Sequence, residues 1–342
     1  MTTKSTSNVA VVVPNWNGKD GLKTCLDSLL SQTTQPQIIV VENGSTDGSL
    51  EYLRHNYPQV RLVVNQTNHG FAGGVNDGIK VAMELGCEYV ALFNNDATAE
   101  TDWLEKLVAV LDVEKEFGIA TCKLMAADKS HMDSTGDQYT VWGLPYPRGR
   151  GEPVSDVYDE KIRVFAASGG ASLYRTKMFE EIGLFDEDFF AYYEDVDISF
   201  RAQLSAWQVR YVPEAIAYHQ IGATSGKIRG FTTHQTTKNL PLLLVKNVPR
   251  RFFFKIWWRF LLADVLFVLK SFTRGQGWAA LTGDWRASML LPKKFGERRH
   301  IQKNKKVSDD YIWAMIEHDL PPNAYNLRKL RAFWRKLTFR KS

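Results

Sequence analysis

The chain has 342 residues, of which 44% are hydrophobic, and it carries a formal net charge of +5. This length and composition allow a full hydrophobic core and more than one structural module, which excludes a small disulfide-stabilised protein. The three cysteines, Cys25, Cys87 and Cys122, are widely spaced and odd in number. They show neither metal-ligand spacing nor a disulfide framework, so they predict a reducing compartment.

The positive charge is concentrated in the C-terminal part. Residues 246–342 contain 22 Lys and Arg against 7 Asp and Glu, a balance of +15, whereas residues 1–245 contain 21 against 31, a balance of −10. This asymmetry predicts an acidic catalytic body and a basic tail that meets an anionic partner. Residues 1–8 are polar and lack the apolar stretch of a signal peptide, so we expect a cytoplasmic protein.

Apolar strands alternate with amphipathic helices through the N-terminal third of the chain. Strands are predicted over residues 9–14, 37–42, 60–65 and 89–93, because β-branched or continuous apolar runs end there in polar turns. Helices are predicted around Leu22–Leu30, from Leu50, from the glycine-rich turn at 68–78 to about Leu85, and over 103–111. This order predicts an α/β fold with a doubly wound, mostly parallel sheet.

The alternation loosens after residue 125. Residues 134–153 are rich in Gly, Pro and aromatics, which predicts a long ordered loop or short antiparallel strands, and loops of that length are usually functional. A strand is predicted over 164–174 with a small-residue centre at 168–172, then a helix over 194–207 and a strand over 208–212.

Asn94-Asn95-Asp96 follows the buried strand at 89–93. A carboxylate just past such a strand lies where open α/β sheets bind ligands. Mg²⁺ and Mn²⁺ take oxygen ligands and often share one or two carboxylates with substrate phosphates. We therefore expect Asp96 to hold a divalent metal that carries a nucleoside diphosphate, although an Asn-Asn-Asp triplet alone is equally typical of a turn.

The tail has a different character. Residues 250–272 are dense in Phe, Trp and Leu but are interrupted by Lys255, Arg259, Asp264 and Lys270, so no uncharged window of spanning length exists. We expect an amphipathic helix lying on an anionic membrane, with a core helix packed on the catalytic domain as the alternative. Nucleic acid is not expected as a partner, because no stacking or base-reading module is present.

Taken in order, the motifs over about residues 8–226 resemble the inverting family-2 glycosyltransferases of GT-A fold, and bacterial rhamnosyltransferases in particular. The stretches that carry the resemblance are Pro14-Asn-Trp-Asn17, Glu42-Asn-Gly-Ser-Thr-Asp-Gly48, Asn68–Gly78, Asn94-Asn-Asp96, Phe189–Asp197 and Tyr218-His219 with the loop at 222–226. It implies a catalytic domain over 1–238, with a nucleotide-sugar half at about 8–125 and an acceptor half at about 126–238. A helical, basic, membrane-associating region follows over 239–342.

The resemblance also implies roles for individual residues. Asp195 would be the general base and Glu194 would orient the acceptor or support the loop, whereas Asp96 and His219 would bind the metal. Glu42 would accept a hydrogen bond from the uracil or thymine ring, with Glu in place of the usual Asp. The implied donor-binding residues are Pro14, Asn15, Asn17, Glu42, Asn43, Gly73, Gly74, Asn76, Asn94, Asn95 and Asp96.

Structural roles remain open for the same residues: close helix packing for the glycines, a helix-start turn for the carboxylates, and a cap or first-turn role for Asp47 and Asp197.

The predicted function is transfer of a sugar to a hydroxyl of a glycan on a lipid carrier, or of another cell-surface glycan, on the inner face of the membrane. The resemblance implies dTDP-rhamnose as donor, with a UDP-hexose as the alternative, and Mg²⁺ or Mn²⁺ as cofactor. Two rivals of other classes remain: a nucleotidyltransferase, and a non-catalytic, membrane-associated glycan-binding protein. The sequence leaves the oligomeric state open.

Overall fold

The computed structural model describes residues 8–220, 228–322 and 324. Its N-terminal part alternates strands and helices as the apolar pattern predicts. The elements are β1 (Val9–Asn15), α1 (Lys19–Leu30), β2 (Gln37–Asn43), α2 (Ser49–Asn56), β3 (Arg61–Asn65), α3 (Gly70–Glu84) and β4 (Tyr89–Phe93).

The following segment adds shorter strands. Its elements are β5 (Ala97–Ala99), α4 (Trp103–Val113), β6 (Phe117–Ala126), β7 (Met132–Ser134), β8 (Asp137–Tyr139), β9 (Pro145–Pro147), β10 (Arg163–Val164), β11 (Ala171–Arg175), α5 (Thr176–Ile182), α6 (Glu194–Leu204) and β12 (Gln208–His219). Short 3₁₀ turns lie at Asp156–Tyr158 and Glu187–Phe189.

The central sheet is mostly parallel, with strand order β10-β12-β6-β11-β4-β1-β2-β3. β1 pairs in parallel with β2 and β4, β2 with β3, and β6 with β12. β11 lies antiparallel between β4 and β6. Because the chain reverses there, the carboxyl ends of β1, β2 and β4 lie at the same sheet edge as the loop that precedes β11.

Helices cover both faces of the sheet. Val9, Val11 and Val13 of β1 point into one core with Leu26 and Leu107, whereas alternate residues of the same strand point into a second core with Ile79 and Ile198. Continuous apolar strands are therefore required, since both faces of each strand are buried. The predicted doubly wound α/β sheet is confirmed.

Two predictions for the segment after residue 113 are corrected, and one strand there was missed. The strand expected over 164–174 is two strands, β10 and β11, because Ser168–Gly170 leaves the ladder between them. The strand expected over 208–212 continues to His219 through a register shift that follows Val212. β6 was not predicted at all. The antiparallel alternative for 134–153 is confirmed by the pairing of β8 with β9.

Over residues 228–322, the described part of the C-terminal region, there are four helices: α7 (Phe231–Asn247), α8 (Arg250–Thr273), α9 (Gly277–Asn304) and α10 (Asp309–Met315). α7 runs without a break through residues 238 and 239, where the sequence places a domain boundary, so that division stays a prediction. Phe252, Ile256 and Phe260 on one face of α8 pack in a third core with Leu243 and Phe200.

The opposite face of α8 remains apolar and exposed. Its exposed side chains include Phe254, Trp257, Trp258, Leu261, Leu262, Val265 and Leu269. The core-helix interpretation describes the buried face of α8, and the membrane interpretation stays a prediction for the exposed face. Among the residues that the structure describes, no helix combines the length and apolarity needed to cross a membrane.

Buried ion pairs join α7 and α9 to the segments on either side of the start of α6. Lys294 of α9 contacts Asp186 and Asp188, and Lys246 of α7 contacts Asp186 and Asp197. Burial alone would raise the pKa of Asp186, but Lys246 and then Lys294 outweigh it and hold that pKa below its ordinary value. The tail is thus fixed to the body by charges that water does not screen.

Replacing Lys294 by Met should lower the free energy of unfolding by about 3 kcal/mol, because Asp186 and Asp188 then lose a fully buried partner. Since the folded-state pKa of Asp186 lies below its unfolded value, this contribution is present above about pH 4 and is lost as the pH falls further. Urea unfolding of both chains at pH 7 and pH 3 measures it.

Lys293→Met is the matched control, because Lys293 also pairs with Asp188 but its side chain is 59% exposed. Its effect should stay within about 1 kcal/mol. Equal effects of the two substitutions would contradict the prediction.

Candidate active site

A cleft of about 750 Å³ opens at the carboxyl edge of the sheet. Of the residues predicted to bind donor, acceptor or metal, nine line it: Pro14, Asn15, Asn43, Asn94, Asn95, Asp96, Glu194, Asp195 and His219. They come from β1, β2, the turn after β4, α6 and the end of β12, so the fold brings together motifs that are far apart in sequence.

A chain of side-chain hydrogen bonds connects the ends of β4, β1 and β2. Asn95 Nδ2 donates to Asn15 Oδ1 over 2.7 Å, and Asn15 Nδ2 donates to Glu42 Oε2 over 2.7 Å. The other oxygen of Glu42 accepts from the backbone N–H of Ser45 over 2.9 Å. Glu42 is buried and does not line the cleft, so in this structure it orients Asn15 rather than facing a nucleotide base.

Asn17 also lies behind the cleft wall. Its Oδ1 accepts from the backbone N–H of Thr46 over 2.7 Å, and its own backbone N–H donates to Ser45 Oγ over 2.9 Å. It therefore holds the loop after β2 against the loop after β1. Asp47 has the expected helix-start role, because Oδ1 accepts from the Ser49 backbone N–H at the beginning of α2.

The glycine-rich motif at 68–78 runs into the first turns of α3, and only its beginning, with Asn68 and Gly70, lines the cleft. Gly73, Gly74 and Asn76 do not line the cavity. A Cβ at Gly74 would lie 3.0 Å from Asn43 Nδ2, and the buried Asn76 side chain bonds both the N–H and the C=O of Phe185. The packing alternative therefore describes these residues better, because α3 turns them toward neighbouring chain segments.

Asp96, His219 and Asp133 form a linear arrangement. His219 Nε2 lies 3.1 Å from Asp96 Oδ1, and His219 Nδ1 lies 2.7 Å from Asp133 Oδ2. Burial alone would lower the pKa of His219, but hydrogen bonds and charges from Asp133 and Asp96 outweigh it and raise the pKa to about 9. A cation at Nε2 would have to displace the proton that this site retains at neutral pH.

Asp133 was missed by sequence reasoning. It is fully buried and pairs with Arg150 at 2.7 Å as well as with His219. A carboxylate on the far nitrogen of a histidine is the arrangement that orients metal-ligating imidazoles. The only signal was its place directly before the region 134–153, which was predicted to be functional.

Three carboxyl groups meet in another part of the cleft. Asp195 accepts backbone N–H bonds from Gly169 over 3.0 Å and from Val196 over 2.8 Å. Glu194 is buried, and its Oε2 has no hydrogen-bond partner among the described residues. Asp137, which sequence reasoning also missed, accepts from Ser134 Oγ over 2.9 Å.

These carboxyl groups differ in how readily they ionise. Burial raises the pKa of all three, and that of Asp137 reaches about 7, with the charge of Asp195 as the next cause. The two backbone N–H groups oppose this shift at Asp195, whereas the pKa of Glu194 lies well above its ordinary value. Asp195 is therefore better placed than Glu194 to carry the negative charge.

The loop before α6 is held in an unusual conformation. Phe190, Tyr192 and Tyr193 have φ of 62°, 70° and 69°, which costs roughly 1 kcal/mol or more each for residues with a Cβ. The buried Asn239 of α7 donates through Nδ2 to the carbonyls of Phe189, Ala191 and Tyr192 over 2.8 to 2.9 Å. The tail thus fixes the aromatic rim from which Glu194 and Asp195 project.

One acidic group outside the cleft is not a cation site. Asp186, Asp188 and Glu297 lie close enough to share an ion, but the ammonium of Lys294 already lies among them. The predicted loop at residues 222–226 lies outside the described residues.

The model of the family "Glycosyl transferase family 2" matches residues 10–183, just over half of the chain. The chain belongs to glycosyltransferase family 2. The match covers β1 to the end of α5, which includes the Asn94-Asn95-Asp96 turn and ends before Glu194.

Several curated relatives are similar to this chain. The N-acetylglucosaminyl-diphospho-decaprenol L-rhamnosyltransferase of Mycobacterium tuberculosis is 28% identical over 245 residues, covering 65% of this chain and 79% of the relative. The dTDP-rhamnosyl transferase RfbF of Shigella flexneri is 26% identical, covering 70% and 81%. An uncharacterised glycosyltransferase of Escherichia coli, YibD, is 37% identical over 122 residues, which span only 34% of its length and 34% of this chain.

Solved structures share the fold at low sequence identity. The mannosyltransferase PcManGT of Pyrobaculum calidifontis, determined with GDP-Man and Mn²⁺, has a TM-score of 0.52 at 16% identity, covering 90% of this chain and 85% of its own. GalNAc-T7 with UDP, GalNAc and Mn²⁺ has a TM-score of 0.56, covering 71% of this chain and 48% of its own. The predictions of a family-2, rhamnosyltransferase-like glycosyltransferase and of a GT-A fold are confirmed.

Proposed function

We propose that the chain moves a sugar from a nucleoside diphosphate to an acceptor hydroxyl with inversion of the anomeric centre. The observation that carries the proposal is one cleft that holds both the Asp96–His219 pair and the carboxylate of Asp195. The acceptor oxygen forms a bond to the anomeric carbon as the bond from that carbon to the diphosphate oxygen breaks. The acceptor proton passes to Asp195, and the bonding pair leaves with the nucleoside diphosphate.

Asp195 is our choice of general base, because two backbone N–H groups fix its carboxylate and favour its charged form. Glu194, with an unsatisfied buried oxygen, is proposed to orient the acceptor hydroxyl. Asp137 is the competing base, since it lines the same cleft with a raised pKa.

Asp195→Asn should lower kcat by about 10²–10⁴-fold, because the amide keeps the shape but accepts no proton. Donor affinity should stay within about twofold. Since only the ionised base works and burial raises the pKa of Asp195, kcat of the unaltered enzyme should rise with pH on the acid side and then level off.

Asp137→Asn is the comparison, and it should lower kcat less than Asp195→Asn does. Near-normal turnover of Asp195→Asn, or a larger loss in Asp137→Asn, would transfer the role of base to Asp137. Steady-state transfer rates across pH decide between them.

The residues of the cleft fit a divalent cation. Asp96 offers a carboxylate oxygen and His219 a ring nitrogen whose orientation Asp133 fixes, a donor set that suits Mn²⁺ or Mg²⁺ when substrate phosphates complete it. The cation would neutralise charge that develops on the leaving diphosphate. With only two protein ligands, we expect weak binding of the cation before the donor arrives.

Asp96→Asn should weaken donor binding in Mn²⁺ by about tenfold or more, because it removes the single carboxylate that the Asn94-Asn95-Asp96 turn offers. In EDTA the two proteins should bind the donor equally. Calorimetric titration with dTDP or UDP in both conditions measures this. The same loss in EDTA would show that Asp96 acts without a metal.

The donor is proposed to be dTDP-rhamnose, with a UDP-hexose as the alternative. The proposal rests on the names of the Mycobacterium and Shigella relatives. A thermal-shift screen of dTDP- and UDP-sugars with Mn²⁺ distinguishes them, because the preferred donor stabilises the folded state by mass action.

The acceptor is proposed to be a glycan on a polyprenyl carrier or another cell-surface glycan, reached from the inner face of the membrane. Exposed aromatics along α8, together with Trp278, Trp285 and Met289 of α9, form a large apolar surface within a basic region. That combination suits the boundary of an anionic bilayer.

The double substitution Phe254→Ser and Trp278→Ser should weaken binding to vesicles that contain phosphatidylglycerol by at least about tenfold. The reason is that each substitution removes apolar area that would contact the bilayer. Both side chains are exposed, by 73% and 78%, so the fold should be unaffected. Val113→Ser, at 79% exposure on the catalytic body, should leave vesicle binding unchanged. Unaltered co-sedimentation of the double variant would contradict the membrane assignment.

A further inference from the structure

A second cavity, of about 520 Å³, lies between α7, α9 and the turn at Glu187–Phe189. It adjoins the cleft, because Phe190 and Phe231 line both spaces. Their rings meet edge to face with centroids 6.3 Å apart. The aromatic pair thus forms the boundary between the catalytic carboxylates and this second space.

Close packing of α7 on α9 builds the cavity wall. A Cβ at Gly283 would lie 2.0 Å from Thr237 Oγ1, and Thr237 Oγ1 donates to the carbonyl of Ala280 over 2.9 Å. This approach places His234 and Lys238, one turn apart on α7, beside Arg286 of α9.

The cations of this cavity lack the partners that neighbouring lysines have. Lys238 is only 6% exposed, and its ammonium donates to the carbonyl of Phe189 over 3.1 Å. Among the described residues, no carboxylate forms an ion pair with Lys238 or Arg286, whereas Lys246 and Lys294 each have at least two.

The pKa of Lys238 falls to about 8, first through burial and next through the charge of Arg286. An ammonium has three donors, so Lys238 retains capacity for an anion.

One other feature of the lining points to a ligand. Trp285 and Leu290 add apolar surface, and Trp285 is continuous along α9 with the exposed Leu281 and Met289. Asp188 also lines the cavity, but its carboxylate is engaged by lysines of α9.

We propose that this cavity binds the diphosphate of a prenyl-diphosphate-linked acceptor. His234, Lys238 and Arg286 contact the phosphates, the hydrocarbon leaves along the apolar side of α9, and the acceptor sugar reaches Asp195 past Phe190 and Phe231. The proposal rests on the glycosyltransferase function proposed above and specifies its acceptor class. Its physical basis is the buried ammonium of Lys238 beside the exposed guanidinium of Arg286, placed between a catalytic cleft and an apolar surface.

The test is calorimetric binding of farnesyl diphosphate to the full chain in saturating dTDP and Mn²⁺, so that the donor cleft is occupied. Arg286→Gln should weaken binding about tenfold, because one charge-assisted contact is lost. Lys238→Met should do the same. Arg299→Gln removes the same charge from the exposed end of α9 and should change binding less than twofold.

Two further ligands separate the sources of phosphate. Inorganic pyrophosphate should bind more weakly than farnesyl diphosphate, and vesicles with phosphatidylglycerol should not distinguish Arg286→Gln from Arg299→Gln. Any one of three results would overturn the proposal. These are equal affinities for pyrophosphate and farnesyl diphosphate, no binding of farnesyl diphosphate, and weaker binding by Arg286→Gln that is seen only with vesicles. Thermal shift with dTDP-rhamnose or a UDP-sugar is measured in parallel. If the chain binds the donor but not farnesyl diphosphate, this inference is wrong and the proposed function stands. If the chain binds no donor, the result counts against the proposed function.

Discussion

The side-chain amide of Asn239 in α7 connects the C-terminal helices to the loop that precedes α6. It donates three hydrogen bonds, to the carbonyls of Phe189, Ala191 and Tyr192. In the same loop Phe190, Tyr192 and Tyr193 have positive φ angles. Such conformations persist only where the surroundings over-determine them. The rim that presents Glu194 and Asp195 therefore depends on a helix that the sequence assigns partly to another domain. Removal of α7 with the helices that follow it would therefore remove a wall of the site.

The half of the fold before residue 113 followed from elementary patterns. Continuous apolar runs of four or five residues ended in polar turns, and strands buried on both faces need such runs. Asp96 was expected at the ligand-binding edge of the sheet because it follows a buried strand, and the family resemblance implied Asn15 and Asn43 beside it. The structure places all three in the cleft lining. Their chemical roles remain proposals.

Other parts of the site had no local signal. Asp133 and Asp137 lie on short strands whose pairing depends on contacts far along the chain, so no spacing in the sequence linked them to His219 or Asp195. Glu42 and Asn76 illustrate the opposite case. Their motifs were recognised in the sequence. The sequence does not show, however, whether the side chain points into a cavity or toward a neighbouring loop, as Glu42 and Asn76 do. β6 was missed because its small and polar residues, such as Thr121 and Lys123, mask a buried strand.

Charge compensation distinguishes the structural lysines of α7 and α9 from Lys238, which is proposed to bind a ligand. A buried ammonium loses hydration, and the carboxylates around Lys246 and Lys294 replace it within the folded chain. Lys238 has similar burial, but a carbonyl is the acceptor that it has among the described residues, so much of its charge is left for something outside the protein. The basic composition of the tail therefore has two physical origins. One set of cations fixes the helices to the acidic body, and the other lies beside the apolar face of α9, where an amphiphilic phosphate would neutralise it.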